Sequence, residues 1–153
     1  MGKNGSLSPY LYFDGNCLEA VNYYAAVFEL DPPEILKYSK GDYPMEVTEA
    51  EEGLVMYATL AFENMNLMFS DDPISHPAPT DNAMIVLNWS TSDPDLYDRV
   101  WSTMAKDGSI QTECSATFFA QKFGVIKDPY GLFWQLGLNP METTNELGSV
   151  PIS

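Results

Sequence analysis

Two stretches of the chain carry apolar residues at helical spacing. Val21, Tyr24, Ala25 and Phe28 fall at i, i+3, i+4 and i+7, and so do Tyr97, Val100, Trp101 and Met104. Such a stripe is the buried face of an amphipathic helix. Asn16-Cys17-Leu18-Glu19 opens the first helix as a capping box, with Asn16 at the N-cap and Glu19 at N3. Ser92-Asp93-Pro94-Asp95 opens the second, with proline suited to the first turn. Asp31-Pro32-Pro33 ends the first. Lys106-Asp107-Gly108 closes the second with a basic residue and then a C′ glycine.

The segments around these helices read as strands. SPYLYFDGN precedes the first helix, and EILKYS, LVMYATLAFE and NLMFSD follow it, with Asn64-Met65-Asn66 turning between the last two. AMIVLNWST precedes the second helix, and SIQTECSA, KFGVIKD and LFWQLGL follow it. Each half reads strand, helix, strand, strand, strand, and the two helical stripes lie half a chain length apart. The predicted fold is therefore α+β, with two βαβββ modules at 8–71 and 83–138. A proline-rich linker over 72–82 joins them, within DDPISHPAPTDNA. Together they form a single domain over 8–140, with flexible ends at 1–7 and 141–153. In one such module a helix covers one sheet face and leaves the other bare. Two modules can pair their bare faces as a mixed, cupped sheet around a cavity.

Composition narrows the partners. Seven basic against 22 acidic residues give a net charge of −15. That argues against nucleic acid, whose phosphates need clustered Lys and Arg, and against anionic membrane surfaces. It favours solubility, or a neutral or cationic ligand. No apolar run approaches the length of a membrane span, and MGKNGSLSPY lacks the apolar core of a signal peptide. Two cysteines, Cys17 and Cys114, are too few for a disulfide framework, so a cytoplasmic location is expected. The single histidine, His76, sits among prolines in SHPAP and reads as structural or exposed. One histidine excludes a multi-histidine metal site within one chain.

The ends of the predicted domain carry a resemblance. PYLYFDGNCLEAVNYYAAVF and TFFAQKFGVIKDPYGLFWQLGLNP are similar to the opening and closing signatures of the PhnB-like branch of the vicinal oxygen chelate superfamily. That superfamily includes glyoxalase I, extradiol dioxygenases and bleomycin-resistance proteins. The resemblance implies the glyoxalase-like fold. Chelating members hold a divalent metal with four side chains, usually His and Glu, on the first and last strands of each module. The corresponding places here are Ser8 to Tyr10, Met68 or Phe69, Asn88, and Gln135, where the metal enzymes have W-E-L and this chain has W-Q-L. A neutral amide is a poor ligand for a divalent catalytic metal, but it can orient an organic molecule. The branch often carries M-H-A on its long strand, where this chain has Met56-Tyr57-Ala58. Its F-W-G is Phe118-Phe119-Ala120 here. The branch also has an inherited label of ubiquinone methyltransferase, yet no glycine-rich G-x-G-x-x-G turn stands in this chain.

The expected function is therefore metal-free and cofactor-free binding of a small aromatic or cationic organic molecule. Its expected walls are Tyr10, Tyr12, Tyr57, Phe118, Phe119, Phe133 and Gln135, with Gln135 and Phe133 facing the cavity and Trp134 and Leu136 facing the helix. The alternative is a metal-dependent lyase, isomerase or dioxygenase of the same superfamily, drawing ligands from Tyr, Asn, Gln, Asp or a second subunit. A homodimer is expected. Other polar features have plainer readings. Cys17 lies in a first helical turn, where a dipole can lower a thiol pKa, but no histidine neighbours it. Cys114 reads as a small core residue. Asp71 and Asp72 read as turn residues, and the acidic run over 40–53 reads as a solvated loop or a lid.

Overall fold

The computed structural model describes residues 5–39, 47–71 and 85–139. The elements run β1 (Tyr10–Phe13), α1 (Cys17–Val27), β2 (Glu34–Lys37), β3 (Val55–Ala61), β4 (Asn66–Asp71), β5 (Val86–Thr91), α2 (Pro94–Asp107), β6 (Ser109–Ser115), β7 (Lys122–Lys127) and β8 (Phe133–Leu138). This is strand, helix, strand, strand, strand, twice over. The chain divides into two compact units, Met1–Pro79 and Thr80–Ser153. The linker expected over 72–82, His76, Asp72, the end at 141–153 and the first half of the acidic run, 40–46, lie outside the described residues.

Each unit holds one four-stranded sheet. The first, sheet A, has the order β1-β4-β3-β2, and the second, sheet B, has the order β5-β8-β7-β6. In sheet A, β1 runs parallel to β4, and the β4–β3 and β3–β2 pairs are antiparallel. Sheet B repeats this pattern with β5 parallel to β8. The parallel pair in each unit is the one that the helix connection permits, because a short hairpin cannot join parallel strands.

Both helical stripes are buried as their spacing predicts, except that Trp101 is half-buried. In the first unit Val21, Tyr24 and Phe28 are inaccessible or nearly so, and Tyr24 stacks on Phe69 with ring centroids 5.9 Å apart. In the second unit Tyr97, Val100 and Met104 are buried against a sheet face made by Ile126, Trp134 and Leu136. Burying each such large side chain is worth about 1.5–3 kcal/mol. Tyr97 adds a polar tie: its hydroxyl donates to the Leu136 carbonyl at 3.2 Å. Gly124 lies opposite Leu136 in the ladder, and a β-carbon there would overlap the Trp101 ring. Glycine at this place lets α2 lie close to the sheet.

The helix ends depart from the sequence reading in two places. Asn16 makes no side-chain capping bond. The first amide of α1, that of Cys17, instead donates to Asp71 Oδ1 at 2.9 Å. Asp71 Oδ2 accepts the Val55 amide, also at 2.9 Å. Asp71 is therefore no turn residue; it is only 1% exposed and ties α1, β3 and β4 together. A carboxylate suits an orphan helix amide because charge-assisted bonds are stronger than neutral ones. Gly108 follows α2 as expected, but its backbone is not left-handed. A β-carbon there would collide with the backbone of Lys127 and Asp128, so glycine serves close approach instead. The start of α2 agrees with its sequence. Asp93 Oδ1 accepts from the Asp95 and Leu96 amides.

Candidate functional site

The turn Asp128-Pro129-Tyr130-Gly131 determines how β8 is presented. Asp128 is buried, and its Oδ1 accepts from the Tyr130 amide at 2.8 Å and the Leu132 amide at 3.0 Å. Its Oδ2 accepts the Trp134 indole Nε1–H at 2.8 Å. Gly131 closes the turn at φ 94°, a region that side chains resist. The indole bond fixes Trp134 on the helix side. Strand alternation then places Phe133 and Gln135 on the opposite, open face. The burial pattern agrees: Trp134 and Leu136 are buried, and Phe133 and Gln135 are half-buried.

Register assembles the surroundings of Gln135. Across the parallel pairing its partner is Asn88, and across the antiparallel pairing its partner is Val125. Two side-chain amides thus stand next to each other on the open face of sheet B. One row away, Phe133 pairs with Val86 on one side and Lys127 on the other. The Lys127 ammonium lies 5.6 Å from the Phe133 ring centroid. At the other end Phe123 contacts Phe119 edge-on, with centroids 5.1 Å apart. Thr117 shapes the loop that carries Phe119, its hydroxyl accepting from the Phe119 and Ala120 amides. Phe118 packs edge-on against Phe119 but is 84% exposed. Sheet B therefore presents an amide pair flanked by aromatic and aliphatic side chains and by the Lys127 ammonium.

Sheet A presents the three tyrosines. Tyr10 and Tyr12 alternate with Leu11 and the buried Phe13 along β1, so they share the open face. Their rings lie 5.4 Å apart at 41°. In the ladder Tyr10 pairs with Met68, which pairs in turn with Thr59; Tyr12 pairs with Ser70. Tyr57 is next to the buried Ala58 on β3 and so faces with Thr59. Burial raises the Tyr10 phenol above the ordinary tyrosine range. A hydrogen bond with Ser70 opposes that rise, and the neighbouring Tyr12 and Tyr57 phenols add to it.

The places where chelating relatives carry metal ligands come together within each unit, as Tyr10 with Met68 and Asn88 with Gln135. A phenol, a thioether and two amides do not fit a divalent catalytic metal. Among the described residues no group of three or more His, Cys, Asp or Glu could hold a metal ion.

Neither cysteine is placed for nucleophilic chemistry. Cys17 is fully buried, and burial, followed by the nearby Asp71 carboxylate, pushes its thiol up to about 12. Cys114 is half-buried on β6, with its sulfur 3.4 Å from the Tyr97 hydroxyl. The sequence reading did not foresee Ser70, Thr59, Val125, Phe123 and Lys127 as neighbours of the candidate residues. Only strand pairing reveals them. No helix among the described residues is long and apolar enough to cross a membrane.

Comparison with known proteins agrees with this architecture. The sequence profile of the family described as 3-demethylubiquinone-9 3-methyltransferase matches residues 5–137. Protein YjdN of Escherichia coli K12 is 26% identical over 148 residues, spanning 90% of this chain and 98% of that protein. The PhnB protein from Bacillus cereus is 30% identical, with a TM-score of 0.66 over 88% of this chain and 99% of that one. A glyoxylase/bleomycin resistance protein/dioxygenase domain from Frankia sp. EAN1pec shares the fold at 13% identity, with a TM-score of 0.60 over 91% of this chain and all of that one. The chain therefore belongs to the family described as 3-demethylubiquinone-9 3-methyltransferase, is similar to a PhnB protein, and shares the fold of a glyoxylase/bleomycin resistance protein/dioxygenase domain.

Proposed function

We propose that the protein binds a small organic molecule, aromatic or cationic, without a metal, and that Gln135 orients it. The reading rests on one observation: Asn88 and Gln135 are register partners on a sheet face that also carries Val86, Val125, Phe123, Phe133 and Lys127. Two amides among rings, aliphatic groups and one ammonium offer directed donors and acceptors on a mostly apolar face, the usual composition of a small-molecule site. Methyl transfer has less support. The chain has no glycine-rich turn of the dinucleotide type, and each sheet is mostly antiparallel, unlike a doubly wound cofactor fold.

The same reading takes residues 8–140 as one glyoxalase-like domain acting as a cytoplasmic homodimer. Both cysteines are free thiols, as a reducing compartment allows. Sedimentation giving a monomer at all concentrations would remove the dimer from the reading.

Carbostyril, a neutral fluorescent bicyclic lactam, is a suitable probe because its ring can stack and its lactam can pair with an amide. Saturable binding, unchanged after chelator treatment, is the expected result. Binding that vanishes on chelation and returns with a divalent metal would favour the metal-dependent lyase, isomerase or dioxygenase instead.

A further inference from the structure

The open face of sheet A differs in chemistry from that of sheet B. It has no amide pair, and its prominent groups are phenols. Tyr10 and Tyr12 are 41% and 56% exposed and tilted rather than stacked, so ring surface remains open to a guest. The β3–β4 pairing ends at Ala58–Phe69, and Tyr57, the next residue out on β3, is near enough to Tyr10 to act on its phenol. With β4 between them, β1 and β3 are roughly 9.5 Å apart, twice the strand spacing. We propose that this gap holds an organic ammonium ion, with Tyr10 and Tyr12 on one side, Tyr57 on the other and Ser70 beneath.

Charge supports a cation over an anion. None of the seven basic residues lies in β1, β3 or β4. Glu34 pairs with Thr59 and so shares the face. The chain as a whole carries −15. The electron-rich faces of tyrosine rings attract a cation most strongly where water is partly excluded. Thr59 adds a polar handle, because its Oγ1 is buried and has no hydrogen-bond partner among the described residues. A hydroxyl on the guest could satisfy it.

The inference rests on the reading that the chain binds a small organic molecule, but it uses other residues than the amide pair. Choline and dimethylbutanol, its uncharged isostere, separate cation attraction from mere shape. Both are titrated calorimetrically in high salt, which screens the general attraction of an acidic protein. Choline should bind saturably and at least about tenfold more tightly than the isostere. Tyr12→Phe keeps the ring and should stay within about threefold of the parent, whereas Tyr12→Leu should lose at least about fivefold. Tyr12 is exposed, so both variants should fold, and thermal melting checks this. Equal binding of the two probes, no choline binding, or unchanged affinity in Tyr12→Leu would overturn the inference. If choline fails while carbostyril still binds, only this inference falls; if both fail, the underlying reading falls with it.

Discussion

Asn88 and Gln135, 47 positions apart in sequence, are nearest neighbours across the parallel β5–β8 pairing. Their side chains project from the same face, so a guest that engages one amide meets the other. The two residues should therefore act as a unit. Asn88→Val and Gln135→Leu are each expected to weaken carbostyril binding by about three- to tenfold, the value of one neutral hydrogen bond. The double variant should lose less than the product of the two. A full product in a double-mutant cycle would mean that the two amides act independently and not as a unit.

Asp71 is expected to dominate the stability of the first unit. It accepts two backbone amides, from Cys17 and Val55, and each bond to a charged group is worth about 1.5–3 kcal/mol. Asp71→Asn retains one carbonyl acceptor and should cost about 2 kcal/mol, with Asp71→Ala costing roughly 3–5 kcal/mol. Urea unfolding measures both. A change below about 0.5 kcal/mol in Asp71→Ala would show that the carboxylate is replaceable there.

Alkaline pH should destabilise the fold through Cys17 and Tyr97. Burial raises both groups above their ordinary values, Cys17 from 9.0 to about 12 and Tyr97 further. The folded state therefore keeps protons that the unfolded state releases. Stability is fully present below pH 9 and is lost as the pH rises toward 12. Cys17→Ala should flatten the early part of that decline. A parent protein whose stability is constant between pH 8.5 and 11 would contradict the burial assigned to both groups. By the same cause, iodoacetamide should label Cys17 slowly in the native protein and rapidly in denaturant.

Gly124 is needed for packing. Alanine there would press into Trp101 and the Thr112 carbonyl. Overpacking of this kind costs typically about 1–3 kcal/mol. Gly124→Ala should melt earlier than the parent, and adding Trp101→Leu should recover part of the loss. No recovery would place the strain in the Thr112 backbone.

Much of the fold was legible in the sequence because two signals repeat in both halves. The stripes from Val21 to Phe28 and from Tyr97 to Met104 predicted the helix faces, and alternation in LFWQLGL predicted which β8 residues meet α2. What escaped depends on non-local pairing. Asp71 is followed in sequence by another aspartate and a proline, which suggests a turn; only the approach of Cys17, 54 positions away, makes it a buried cap. Likewise Tyr10, Tyr12 and Tyr57 were legible as aromatics, but their common face depends on the β1–β4–β3 register. Gly108 reads as a C′ glycine from sequence, and its role appears only when Lys127 and Asp128 come near.

The central claim concerns Gln135, and one paired measurement on Gln135→Leu tests it most directly. Leucine keeps a similar volume and removes the polar handle. If Gln135 orients a guest, carbostyril affinity should fall about three- to tenfold, and the melting temperature should hold or rise because no half-buried amide then needs a partner. Clear destabilisation with unchanged affinity would contradict the account and make Gln135 a structural amide.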